Sequence, residues 1–325
     1  MKKRALITGI SGQDGSYLTE YLLSLGYEVF GLIRRHSVAE NQNSRLQHIN
    51  ETINVLYGDV TDVFSLEKLF KSSQPDEIYN LAAMSHVKIS NDIPATTIQI
   101  NAVGVLNMLE CYKNYAPNAK FYQASSSEMF GNSVEENKTQ NENTPMKPVS
   151  PYGCSKLLGY NLVRHYRHAY KLHACNGILF NHESPRRGSN FVTNKVVKTA
   201  VEIYLGKANQ LILGNLESYR DWGHSKDYVK AMHKIINHSE ADDFVVSTGK
   251  TYSVRNLCEV AFNYLNMDYT KYVVQDPKFC RPEELNYLCG DSSKVKKILD
   301  WNPSYTFEEM IKEMVDHWVS EYKNK

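Results

Sequence analysis

Cysteine is sparse and scattered in this chain of 325 residues. Cys111, Cys154, Cys175, Cys258, Cys280 and Cys289 form no CxxC pair, and none stands at metal-ligand spacing from a histidine. This excludes a disulfide framework or a cysteine-based zinc module and fits reduced thiols in the cytoplasm. The 11 histidines are dispersed too. His165 and His168 share a helical spacing, but no third ligand accompanies them, so no metal is expected. Net charge is almost absent, because 37 Lys and Arg against 36 Asp and Glu leave +1. Without a basic excess there is no electrostatic case for nucleic acid or an anionic membrane as partner. No apolar run approaches the roughly 18 residues of a membrane span. The basic start, MKKRALITGI, loses its apolar run at Thr8-Gly9 and is not read as a secretion signal.

What is present is an alternation of apolar runs and amphipathic stretches. With 42% hydrophobic residues the chain can bury one large α/β unit and a smaller companion. Strands are expected over 4–8, 28–33, 53–57, 77–81, 120–124 and 174–180. Helices are expected over 15–25, 65–70, 96–112 and from Pro151 onward. This order implies a Rossmann-type, doubly wound parallel sheet over 1–180, with 181–325 mainly a smaller, interleaved substrate lobe whose later segments return to the first. The polar stretch SVEENKTQNENT, 133–144, reads as an exposed loop.

Directly after the first strand, TGISGQDG spaces Gly9, Gly12 and Gly15 as G-x-x-G-x-x-G and opens a helix. Glycine permits the tight turn and lets backbone N–H groups approach a pyrophosphate at the helix N-terminus. The second strand ends in Arg34-Arg35 where an NAD site usually carries a carboxylate for the ribose 2′-OH. Two guanidiniums suit a 2′-phosphate, so the expected cofactor is NADP.

Tyr152 and Lys156 form Y-x-x-x-K at a helix start, which puts both on one helical face. A neighbouring ammonium is expected to lower the phenol pKa and make a tyrosinate available as base. The strand before it ends in Ser125-Ser126-Ser127-Glu128. A simple dehydrogenase needs no second carboxylate, whereas Glu128 beside a sugar would allow proton abstraction and loss of water. The competing readings of Glu128 are a helix cap or an ion pair with Lys156.

These motifs resemble the extended short-chain dehydrogenase/reductase superfamily. Within it, TGISGQDGSYL, NLAAMSHV, SSSEMFG, SPYGCSK, NGILFNHESPRRGSNFVT, RDWGHSKDYV and CRPEELNYLCGD are similar to the GDP-mannose 4,6-dehydratase family. The resemblance implies oxidation of the sugar at C4, water elimination across C5 and C6, and hydride return to C6. Ser126, Glu128, Tyr152 and Lys156 stand at the family's catalytic positions. Gly9, Ile10, Ser11, Gly12, Gln13, Asp14, Asp59, Val60, Leu81, Ala82, Ala83, Ser85, Thr96, Lys156, His182 and Arg187 match its cofactor-contacting stretches. Ser85, Glu128, Asn181, Lys195, Arg220, Arg281 and Glu284 fall where the family grips the GDP-sugar. A homodimer or homotetramer is implied too, with Arg34, Arg35 and Ser37 reaching toward a neighbour. Met84, Asn91, Met146 and Val149 depart from the family pattern near the expected sugar pocket. They leave open, as alternatives, a GDP-manno-heptose or related nucleotide sugar as substrate, or a 4-dehydrogenase or epimerase that oxidises C4 without dehydration.

Overall fold

The computed structural model describes residues 2–35, 45–279 and 283–323. Six strands come from the first half: β1 (Arg4–Thr8), β2 (Glu28–Ile33), β3 (Asn54–Tyr57), β4 (Glu77–Asn80), β5 (Lys120–Ser126) and β6 (Ala174–Leu179). Four short strands follow, β7 (Asn181–Glu183), β8 (Leu211–Leu213), β9 (Tyr219–Arg220) and β10 (Trp222–His224). After them come β11 (Asp243–Val246), β12 (Tyr252–Ser253) and β13 (Val273–Gln275). Seven strands form one parallel sheet in the order β11-β6-β5-β4-β1-β2-β3. The rest pair off as β7–β10, β8–β13 and β9–β12.

Strand sequence explains burial. Ala5, Leu6 and Ile7 are fully buried although they point alternately to both faces, as expected of a central parallel strand covered by helices on each side. On one face, Leu18 and Leu22 of the helix Gln13–Ser24 pack with Tyr228, Met232 and Ile235 of the helix Ser225–Asn237. On the other, Leu66, Leu69 and Phe70 meet Met108, Leu109 and Tyr112. A separate core joins Val197 and Val201, Leu257 and Ala261, and Met310 and Met314 from three later helices.

Residues after 180 therefore serve two cores. β11 closes one edge of the large sheet, and Trp301 is buried in the core that carries Tyr228. The Trp301 indole donates to Asp227 O at 2.9 Å. The Asp227 carboxylate accepts from Ser304 N, Ser304 Oγ and Tyr305 N.

Two local expectations need correction. The pattern over 96–112 is not one helix: Pro94–Ile98 and Gly104–Tyr115 are α-helical, joined by a π-turn over Gln99–Val103. The break lets Gly104 approach Val60, where a Cβ would come within 2.7 Å of the valine side chain. The stretch 133–144 is not simply exposed either. Gln140 is fully buried, its amide donating to Ser133 O and accepting from Cys289 N, so the loop is pinned to the segment beyond residue 285. A polarity count misses this because one buried amide with satisfied partners anchors a whole polar loop.

Replacing Trp301 by Ala is expected to cost about 3–5 kcal/mol through the cavity it leaves. A denaturant midpoint unchanged from wild type would show that the returning segment does not support the first core.

Candidate active site

The sheet order reverses between β1 and β4, and ligand crevices open at the carboxyl ends of strands beside such a reversal. A cavity of about 350 Å³ lies there, between the ends of β4, β5 and β6 and the second lobe.

The turn after β1 leads to Asp14, which lines this cavity. Gly9 has φ +69°, and a Cβ on it would meet Ala82 N at 2.9 Å; a Cβ on Gly15 would meet Gly9 O at 2.3 Å. Gly12 N donates to Gly9 O at 2.9 Å and caps the following helix without a side-chain hydrogen bond. The first-turn amides thus keep an open, positive helix end suited to a pyrophosphate. Ile10 and Gln13 do something else: Ile10 is fully buried, and the Gln13 amide donates to His182 O and accepts from Ser184 Oγ.

Asp14 turns into the cavity and meets His182. The His182 ring places Nε2 2.7 Å from an Asp14 carboxylate oxygen and Nδ1 2.7 Å from Phe180 O. Both partners are acceptors, so both nitrogens must carry hydrogen. Burial opposes a charged ring, but Asp14 and the Phe180 carbonyl outweigh it and hold the imidazole pKa above its ordinary value. Asp14 is held low in turn, because His182 and Arg187 outweigh its own burial.

Ser126 ends β5 and its hydroxyl accepts from Glu128 N at 3.2 Å, starting a short 3-10 turn. Ser150 then caps the helix Pro151–Tyr170 by accepting from Gly153 N at 3.0 Å, with proline at the first helical position. That cap delivers Tyr152 and Lys156 to the same wall. Lys156 Nζ donates to Ala124 O at 2.8 Å and lies 5.8 Å from the Tyr152 ring centre. All four groups line the cavity and are 5–8% exposed.

The expected lowering of the phenol pKa is not what the structure shows. Burial pushes Tyr152 up to about 12, countered by a hydrogen bond from Ser126 and reinforced by Glu128. Lys156 is itself depressed to about 8 by burial. Desolvation wins because it acts on the whole buried phenol, while the ammonium is spent on a carbonyl.

Other expected residues divide by place. Leu81, Ala83, Ser85, Asn181, His182, Arg187, Lys195, Arg220 and Glu284 line the same cavity. Arg34, Asp59 and Thr96 line a second, shallow one. Arg35 instead lies over the Tyr57 ring, 5.6 Å from its centre. Ala82 lines neither cavity, its N–H donating to Thr8 Oγ1. Val60 lines neither and is buried beneath Gly104. Arg281 and Ser37 fall outside the described residues. Asp221, beside Arg220, is no surface ion-pair partner: it is fully buried and accepts from Thr248, Gly249 and Gly290 N–H groups.

Met84, Asn91, Met146 and Val149 do not line the cavity. Met84 N and O are both held by the Asn101 amide, and Asn91 bonds carbonyls of its own helix. Met146 and Val149 pack on the cluster of Met129, Phe130 and Phe180. These departures repack the scaffold and give no reason to expect a larger sugar.

Three groups had escaped the reading of the sequence. Glu183 is buried, accepts from Thr193 Oγ1 and pairs with Arg187 at 3.0 Å, fixing that guanidinium over the Phe191 ring. Arg45 donates to Ser11 O and Arg186 O, bracing the glycine turn. Lys88 lines the cavity beside Lys195. Arg45 and Lys88 lie in none of the quoted stretches, and Glu183, though inside NGILFNHESPRRGSNFVT, shows its partner only in the fold.

A sequence profile of the GDP-mannose 4,6 dehydratase family matches residues 6–314. The chain is 46% identical to GDP-mannose 4,6 dehydratase 2 of Arabidopsis thaliana, over 97% of this chain and 86% of that one. It is 44% identical to GDP-mannose 4,6 dehydratase of Homo sapiens, over 96% and 90%. Among solved structures, dTDP-glucose 4,6-dehydratase of Bacillus anthracis in complex with NAD superposes with TM-score 0.85 at 23% identity, covering 99% of this chain and 98% of that one. RMD of Pseudomonas aeruginosa complexed with NADPH does so with TM-score 0.81 at 23%, covering 98% and 100%. At that identity the structures show the shared fold.

The depressed Lys156 predicts a pH signature. Between about 8 and the ordinary 10.5 the unfolded chain holds this proton and the folded chain does not, so its contribution to stability rises with pH across that window. Wild type should therefore gain on Lys156→Met between neutral pH and the upper end of the window. A stability gap that stays flat in denaturant unfolding would mean the ammonium ionises as in water.

Proposed function

From the premise that the chain belongs to the GDP-mannose 4,6-dehydratase family, we propose that it is an NADP-dependent lyase. It would convert GDP-D-mannose to GDP-4-keto-6-deoxy-D-mannose. The observation that carries this reading is that Ser126, Glu128, Tyr152 and Lys156 line one cavity together with Lys195 and Arg220. Acid–base groups thus stand beside cations suited to a nucleotide diphosphate.

The glycine turn, with its uncapped helix end and no room for a side chain, fits a dinucleotide pyrophosphate, and Lys156 would hold the nicotinamide ribose. Arg34 on the shallow cavity, with Asp59 and Thr96, supports NADP over NAD. Bound NADP supplies a hydride acceptor at the sugar's C4 and later the same hydride to C6. Tyr152 takes the proton of the 4-hydroxyl, and Ser126 hydrogen-bonds that oxygen. The 4-ketone acidifies the C5 proton, which Glu128 removes. Glu128 then gives a proton to the 6-hydroxyl, which leaves as water while the C5–C6 double bond forms. With the hydride that the cofactor would return to C6, Tyr152 would give back to C5 the proton it took from the 4-hydroxyl, so that enzyme and cofactor end as they began.

Glu128 favours dehydration over oxidation at C4 alone, since a plain oxidation needs no second buried carboxylate. We also propose assembly as a homodimer or homotetramer, supported by exposed Leu106 and Leu158 on adjacent helices.

Incubation with GDP-mannose and NADP followed by mass spectrometry should give a product lighter by one water. A product lighter by two hydrogens would make the enzyme a 4-dehydrogenase, and no change would remove the substrate. Glu128→Gln should lower elimination by about 10²–10⁴-fold. Arg34→Ala should weaken NADP while leaving NAD affinity nearly intact, as read by fluorescence titration of the dinucleotides; equal weakening of both would displace Arg34 from the 2′-phosphate. Gel filtration at the mass of one chain would remove the oligomer.

A further inference from the structure

The cations around the cavity are not equivalent. Arg187 pairs with buried Glu183 at 3.0 Å, and Lys278, beside the cavity-lining Phe279, pairs with Asp276 at 3.0 Å. Lys88 and Lys195 are held differently. Lys88 Nζ donates to Lys278 O at 3.1 Å, and Lys195 Nζ donates to Ile212 O at 2.6 Å. Carbonyls fix the two ammoniums in place without cancelling their charge.

Both ammoniums also flank one ring. Lys88 Nζ lies 5.3 Å and Lys195 Nζ 4.4 Å from the centre of Phe279. Lys195 is pushed below the ordinary lysine range by burial and then by the charge of Lys88. Two half-buried like charges crowded on the wall of one cavity repel each other, and the arrangement raises the energy of the empty site. An anion between them relieves that repulsion. The fold brings the two together from distant segments: Lys88 from the helix Val87–Asp92, Lys195 from the helix Val192–Tyr204. Both anchor on the β8–β13 edge and the turn that follows it.

We propose that Lys88 joins Lys195 as a paired-ammonium cradle for the diphosphate of the nucleotide sugar. The assignment of Lys88 rests on the reading of the cavity as a nucleotide-sugar site. Two rotatable ammoniums suit a flexible diphosphate as point charges, and the Phe279 ring keeps them apart.

The test is calorimetric titration of GDP into the NADP-loaded protein, with dinucleotide affinity and melting temperature measured alongside. Lys88→Gln should weaken GDP by about tenfold, the loss of one charge-assisted hydrogen bond, and Lys88→Arg should recover most of it. Dinucleotide affinity and melting temperature should stay at wild-type values, because the Lys88 ammonium bonds Lys278 O and faces Phe279, both far along the chain from the glycine turn. Wild-type GDP affinity in Lys88→Gln would overturn the cradle. So would a joint fall in GDP affinity, dinucleotide affinity and melting temperature, which would make Lys88 only a brace for the Lys278 carbonyl. Failure of the wild-type protein to bind GDP would instead overturn the nucleotide-sugar reading itself.

Discussion

A turn with no room for a side chain sets the position of everything else in the cavity. Gly9 passes so close to the backbone at Ala82, and Gly15 to Gly9 O, that a methyl group at either place would drive β1, β4 and the first helix apart. Because they are in contact, the helix end stays open and Asp14, in its first turn, is aimed across the crevice at His182. His182 lies in β7, where the chain leaves the large sheet for the second lobe. One close backbone packing thus aligns the anion-binding helix end, the buried ion pair and the start of the substrate lobe.

The cavity wall then follows from how burial treats charge. Where a charged group has a close opposite charge, as Asp14 with His182, ionisation survives desolvation. Where its hydrogen-bond partner is a carbonyl, as for Lys156, burial outweighs the more distant charge of Asp14 and depresses its pKa. Burial drives Tyr152 up, with Glu128 adding to the rise and the Ser126 hydrogen bond opposing it. A phenol this reluctant to ionise keeps its proton in the free protein, so Tyr152 would act as base only once a bound cation beside it favours the tyrosinate. The scaffold does not choose the reaction, since Rossmann-type sheets serve many chemistries; in the reading proposed above, the carboxylate of Glu128, just after β5, would bias this one toward losing water.

The strands were legible in the sequence because parallel strands buried on both faces read as continuous apolar runs. β1 and β2 fall within the expected bounds to the residue. The glycine turn, Tyr152, Lys156 and Glu128 were legible as well, since the chemistry of each is carried by residue type at short spacing. What escaped was long-range. The π-turn before Gly104 answers to a valine 44 positions earlier (104 − 60). The buried Gln140 answers to a cysteine far along the chain. Met84, Asn91, Met146 and Val149 looked like pocket residues from their motifs, and only packing shows them turned elsewhere.

Local spacing determined the class of chemistry, because a turn, a cap or an i, i+4 pair is built from neighbours in the chain. Tertiary structure decided the electrostatics, because desolvation and the choice of partner depend on segments that meet only after folding. The rise of the Tyr152 pKa against expectation, the pairing of Glu183 with Arg187 and the meeting of Lys88 with Lys195 all belong to that second kind.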